Sequence, residues 1–101
     1  MPAVTRVGDQ DIKHCTNMTR AEGSSNVFCN GIPVSRQGDK NTPHFAPGHS
    51  ITHVICRSHA APIAKGSSTV KVNGRGCGRV GDAIAGCTSV AQGSSNVFAG
   101  G

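Results

Sequence analysis

The chain has 101 residues, five cysteines, five histidines and only three aromatic residues, all Phe, with a formal charge of +5. A single domain of that length with so little large apolar surface builds a weak core, which small folds usually supplement with a metal, disulfides or oligomerisation. The ten Lys and Arg are scattered, with no basic run and no stacking aromatics, so a nucleic-acid footprint is not expected, and no apolar run approaches the length of a membrane span.

Fourteen Gly and five Pro predict short strands and tight turns, and no stretch carries a 3.6-residue apolar period. Residues 1–9 lack the apolar core of a signal peptide, and the odd cysteine count has no repeating framework, so the expectation is synthesis in the cytoplasm with reduced thiols. The chain opens on Pro2-Ala3-Val4-Thr5, followed by Arg6-Val7-Gly8-Asp9, with His14 five residues after the Asp. The phrase returns as Arg36-Gln37-Gly38-Asp39 with His44, and as Arg79-Val80-Gly81-Asp82 with Cys87. An Arg and an Asp three apart read first as a braced turn. A second phrase alternates with it: Gly23-Ser24-Ser25-Asn26-Val27-Phe28, Gly66-Ser67-Ser68-Thr69-Val70-Lys71 and Gly93-Ser94-Ser95-Asn96-Val97-Phe98.

After the first of these a strand is expected over 25–30, with Val27 and Cys29 on one face and Phe28 on the other, closed by Asn30-Gly31 as a tight hairpin turn. After the second, Val70 and Val72 are expected to share a face, and Asn73-Gly74 repeats the turn. The chain starts with the second half of a unit and ends with a first half, so residues 1–9 and 93–101 are expected to pair. The fold class is therefore all-β, built of short strands and hairpins with pseudo-threefold repeats: half repeat 1–14, repeat 23–44, apical loop 45–58, repeat 66–87 and half repeat 93–101.

One donor at the same place in each copy suggests a metal on the axis. The middle unit carries an extra loop, and its returning arm puts His59 seven residues before Gly66, close to the offsets of His14 and Cys87 from their own Gly-Ser-Ser phrases. His14, His44, His59 and Cys87 form a His₃Cys set that suits tetrahedral Zn²⁺. Four protein ligands leave no position for an activated water, which makes the site structural. A rival set, His49, His53, Cys56 and His59, is local to the extra loop and ignores the repeat. Cys15 adjoins His14 but breaks the five-residue spacing, and Cys29, Cys56 and Cys77 read as small buried hydrophobes or exposed thiols. No Ser/His/Asp arrangement appears, and the repeated carboxylates are tied to their Arg, so no enzyme is expected.

These phrases resemble the PAAR-repeat family over essentially the whole chain. The segments corresponding to Pro-Ala-Ala-Arg read Pro33-Val34-Ser35-Arg36, Gly76-Cys77-Gly78-Arg79 and, after Pro2, Ala3-Val4-Thr5-Arg6. The resemblance implies a conical fold that caps the trimeric β-helical spike of a contractile injection machine, a phage tail baseplate or a type VI secretion system, with zinc near its vertex. It maps that zinc onto the same four residues, His14, His44, His59 and Cys87. It implies one chain per spike trimer, transient contact with a target membrane, no small-molecule substrate, and a place at the virion tail tip or the secreted spike. Phe28, Lys71 and Phe98, equivalent in the three hairpin phrases, are candidates for the face that meets the spike. The alternative is a free-standing zinc interaction module, with nucleic acid as its possible ligand. A metalloenzyme or toxin is disfavoured by the filled metal shell.

Overall fold

The structure, a computed structural model, describes residues 1–13, 17–43 and 60–101. Among them there is no helix, and the strands are four of two residues each: β1 Phe28–Cys29, β2 Ile32–Pro33, β3 Lys71–Val72 and β4 Arg75–Gly76. β1 and β2 form one antiparallel hairpin with Phe28 opposite Pro33, and β3 and β4 another with Lys71 opposite Gly76. Both hairpins turn on consecutive positive φ angles, 56° and 76° at Asn30-Gly31, 54° and 79° at Asn73-Gly74, the type I′ geometry that matches strand twist. The third pairing joins the two ends of the chain. Ala3 bridges Phe98, the Val4 N–H donates to the Val97 carbonyl, and the Ala99 N–H donates to the Pro2 carbonyl, both at 3.0 Å.

The strands are shorter than the expected 25–30, for a local reason. The Ser24 hydroxyl accepts the N–H groups of Asn26 and Val27, curling the backbone before the ladder can begin. Ser67 does the same for Thr69 and Val70, and Ser94 for Asn96 and Val97. Such hydroxyl-to-backbone turns compete directly with strand pairing. Val70 is consequently exposed while Val72 is buried, so the two do not share a buried face.

Each Arg-x-Gly-Asp phrase closes on itself. The Asp N–H donates to its Arg carbonyl at 3.0, 2.9 and 3.1 Å in chain order, and the Gly between them has φ of 91°, 90° and 91°. A type II turn demands positive φ at this third residue, which is why Gly stands there each time. The carboxylate then receives the Arg backbone N–H together with Nε and Nη2 of the guanidinium. Asp9, Asp39 and Asp82 are all buried, and charge-assisted fork bonds of this kind are what a buried carboxylate needs.

The residues just before the three Arg meet one another. Thr5 N–H donates to the Gly78 carbonyl, Gly78 N–H to the Ser35 carbonyl, and Ser35 N–H to the Thr5 carbonyl, at 3.0, 2.9 and 3.1 Å. Around this closed triangle Arg6 bridges Val34, Arg36 bridges Cys77, and Arg79 bridges Val4, so the pairings return to where they began. Thr5 and Ser35 have no exposed surface. Next to the triangle lies a cluster of six small residues, two from each pairing of hairpin strands: Cys29 and Val34, Val72 and Cys77, Val4 and Ala99. A second cluster, Ala61, Ile63, Ile84 and Val90, sits toward the opposite end.

Burial pushes the Cys77 thiol up from 9.0 to about 11, against the opposing pull of Arg79. The folded chain thus holds this proton more tightly than the unfolded chain. The associated stability is complete below about pH 9 and is lost as pH rises through about 11, a difference on the order of 2 kcal/mol. Cys77→Val, which copies Val4 and Val34 at the matching places, should flatten that alkaline loss in denaturant titrations at pH 8 and 10.5. An unchanged slope would put its origin elsewhere.

Candidate functional site

Each Asp of the repeated phrase begins an arm that runs away from the hairpins, and a second arm returns beside it. The returning residues Arg20, Ile63 and Val90 donate their N–H groups to the carbonyls of Asp9, Asp39 and Asp82 at 2.8, 3.1 and 3.0 Å. Two residues further out, Asp11 N–H donates to the Met18 carbonyl, Asn41 N–H to that of Ala61, and Ile84 N–H to that of Thr88. Neighbouring units are stitched at the same level by bridges from Asp11 to Val90, Asn41 to Arg20 and Ile84 to Ile63. Three connections therefore leave one level of the fold, 12–18, 42–61 and 85–88. In sequence His14 falls in the first, His44 and His59 in the second and Cys87 in the third.

His14, His44 and His59 lie outside the described residues, as do Cys15 and the rival set His49, His53 and Cys56. Cys87 is described and half-buried, and it packs against the apolar cluster of Ile63, Ile84 and Val90. Burial raises its thiol above the ordinary value, while a hydrogen bond from the Asn41 side chain acts the other way. Among the described residues no three His, Cys, Asp or Glu side chains gather into a metal-binding group.

Sequence reasoning missed the polar side of this level. Six positions face inward here: Ile63, Val90 and Ile84 are apolar, whereas Arg20, Asp11 and Asn41 occupy the matching places in the other arms, and all six are buried. Arg20 Nε lies 3.3 Å from Asp11 Oδ1, with both side chains fully enclosed. Burial pulls the Arg20 guanidinium below its ordinary value, and Asp11 opposes that. The Arg20 Nη1 and Nη2 have no hydrogen-bond partner among the described residues. Asn41 Nδ2 donates to Asp11 Oδ2 at 3.0 Å, and Asn41 Oδ1 accepts the Ala61 N–H at 2.9 Å. A signal existed in the sequence: two residues past each Asp of the repeat stand Asp11, Asn41 and Ile84, two polar and one apolar.

At the other end, Phe28 and Phe98 are 56% and 50% exposed, and Lys71 at the matching position is also exposed. Neither Phe is core. The hairpin turns are pinned from below this surface by side chains of adjacent units. Asn73 Oδ1 accepts the Ser24 hydroxyl and Arg36 Nη1, and Asn30 Oδ1 accepts the Ser94 hydroxyl and Arg6 Nη1. In the split third pairing there is no Asn, and the Gly100 carbonyl receives Ser67 and Arg79 Nη1 in its stead. The exposed apolar residues thus stand on a rigidly bonded floor.

The family model described as the PAAR motif matches residues 55–101, a span that takes in β3, β4, the third Arg-x-Gly-Asp phrase and Cys87. Residues 55–101 of the chain thus carry a PAAR motif. No curated protein matches the chain.

Proposed function

We propose that this protein is a non-enzymatic sharp tip that caps the trimeric β-helical spike of a contractile injection machine, one chain per trimer. The observation that carries the proposal is the closed cycle of pairings among the three copies of one unit, which supports a pseudo-threefold monomer. Such an object can offer three similar faces to three identical subunits. The blunt end of a trimeric β-helix exposes unpaired strand edges, a hazard that calls for a cover. The exposed Phe28, Lys71 and Phe98 are the candidate contact residues, and an elongated body of 41 × 23 × 22 Å suits a tip. The machine is a phage tail baseplate or a type VI secretion system, reached from the cytoplasm where the chain is made, and the target membrane is met only transiently.

The end opposite the hairpins suits a structural zinc ion. Cys87 supplies a soft thiolate donor on a partly apolar floor, and the three connections that contain His14, His44, His59 and Cys87 depart from one level. Those four side chains would hold the metal, which would supply a cross-link between units and no reaction chemistry.

Native mass spectrometry of the chain co-expressed with the trimeric spike protein of the same genome tests both parts. One chain on three spike subunits with one zinc is the expected mass. A zinc-loaded chain that never joins the spike would overturn the capping role in favour of a free-standing zinc interaction module.

A further inference from the structure

We infer that each spike subunit presents one apolar groove with an oxygen acceptor at its water-facing rim, and that Phe28, Phe98 and Lys71 fill the three identical grooves. The inference rests on the capping reading above. Phe28, Lys71 and Phe98 stand at matching places, opposite Pro33, Gly76 and Ala3 in the three strand pairings. The residues before them are Val27, Val70 and Val97, with Val70 and Val97 exposed and Val27 partly buried. Side chains hold these places in register. Asn73 Nδ2 donates to Asn26 Oδ1 and Asn30 Nδ2 to Asn96 Oδ1, both at 2.9 Å. The surface therefore repeats one apolar pattern and departs from it at Lys71. The other cation of that hairpin, Arg75, is engaged elsewhere, with Nη1 2.9 Å from Asp39 Oδ1.

Three identical subunits cannot offer three different receptors, so the same groove must accept Phe twice and Lys once. A fully enclosed apolar pocket would reject the ammonium, because an unpaired charge is not buried without a partner. A groove with a buried acceptor would reject Phe, because that acceptor would lose water and gain no donor. One chemistry satisfies both. Apolar walls take the rings or the methylene stem of Lys71, and the acceptor sits at the rim, where water serves it beside Phe and the ammonium reaches it from Lys71. Symmetry adds a second consequence. Turning the chain by a third of a revolution on a threefold spike exchanges the grooves without altering any of them. Affinity then depends on how many Phe and Lys the three places carry, and not on which unit carries the Lys.

The test titrates the wild-type chain and three variants onto the trimeric spike protein of the same genome, and records the thermal midpoint of each chain alone. Phe28→Lys leaves one ring and two cations at the three places and is expected to weaken binding roughly 10–100-fold. Adding Lys71→Phe to it restores two rings and one cation in a rotated arrangement, with composition and net charge identical to the wild type. That double variant should regain the wild-type affinity to within about threefold. Lys71→Phe alone puts a ring in every groove and should bind at least as tightly as the wild type. Because these places are exposed, the midpoints should move by no more than about 4 °C. A double variant as weak as Phe28→Lys, or a Lys71→Phe chain that no longer binds, would overturn the inference and leave the capping role in place. So would a Phe28→Lys chain that binds like the wild type. A wild-type chain that does not bind the spike at all would bring down the capping reading itself, and the grooves with it.

Discussion

Stripping the proposed zinc from the chain with a chelator is expected to lower its thermal midpoint by about 15–30 °C, on the basis of a metal contribution of about 4 kcal/mol. Little else holds the far end together. The cluster there consists of Ala61, Ile63, Ile84 and Val90, and the two described Phe side chains are spent on the surface. Half of the inward positions at that level are polar, and the Arg20–Asp11 pair among them is weak evidence of net stability. The contribution is set well below the ~10–16 kcal/mol apparent for zinc-finger peptides because the hairpins and the backbone triangle form a framework that does not depend on metal. Cys87→Ser should reproduce much of the loss without chelator. Calorimetry with and without bound zinc provides the comparison, and equal midpoints would remove the metal from the account of stability.

Gly78→Ala is expected to destabilise the chain by about 3 kcal/mol or more, with most of the protein insoluble or unfolded at 37 °C. A Cβ on Gly78 would stand 2.5 Å from the Ser35 carbonyl oxygen, 2.8 Å from Ile63 Cδ1 and 3.0 Å from Thr5 Cγ2. The first of these is backbone, and that same oxygen accepts the Gly78 N–H, so it cannot retreat without breaking the triangle. Ser35 at the matching corner offers the control. Its hydroxyl is buried with no hydrogen-bond partner among the described residues, so Ser35→Ala should leave stability within about 0.5 kcal/mol of the parent. Urea titration of the two variants separates a steric demand at one corner from a general intolerance of the triangle. A Gly78→Ala protein as stable as the parent would show that the corner can open.

The turns were legible in the sequence because turn chemistry is local. Arg-x-Gly-Asp and Asn-Gly each specify φ angles through the residues that occupy them, and both kinds of turn form as their sequence dictates. Strand lengths were not legible, because the Ser24, Ser67 and Ser94 hydroxyls take backbone donors that alternation alone would assign to a ladder. Much of the remaining pairing is by isolated bridges between units, such as Arg6 with Val34 and Arg36 with Cys77, and a single bridged residue leaves no periodic trace. Arg20 escaped notice for a different reason. A charged residue in a Gly- and Pro-rich chain reads as solvated, and only the register with Ile63 and Val90 reveals that it points inward. Of the expected metal ligands, Cys87 is among the described residues and the three histidines are not.

The backbone triangle ties residues 5, 35 and 78, and the last pairing ties Ala3 to Phe98. The contacts that join the units therefore tie segments far apart in sequence, and an order of events follows. Each hairpin turn can form within microseconds, but closing the cycle means paying the loop-closure entropy of nearly the whole chain before the reward arrives. Folding should accordingly fall in the slow range of milliseconds to seconds typical of non-local β topologies. On the ribosome the cycle cannot close until Arg79 has emerged, nor the last pairing until Phe98 has, so during synthesis the exposed strand edges are open to wrong partners. Assembly onto a spike would then select only chains that have completed the circuit.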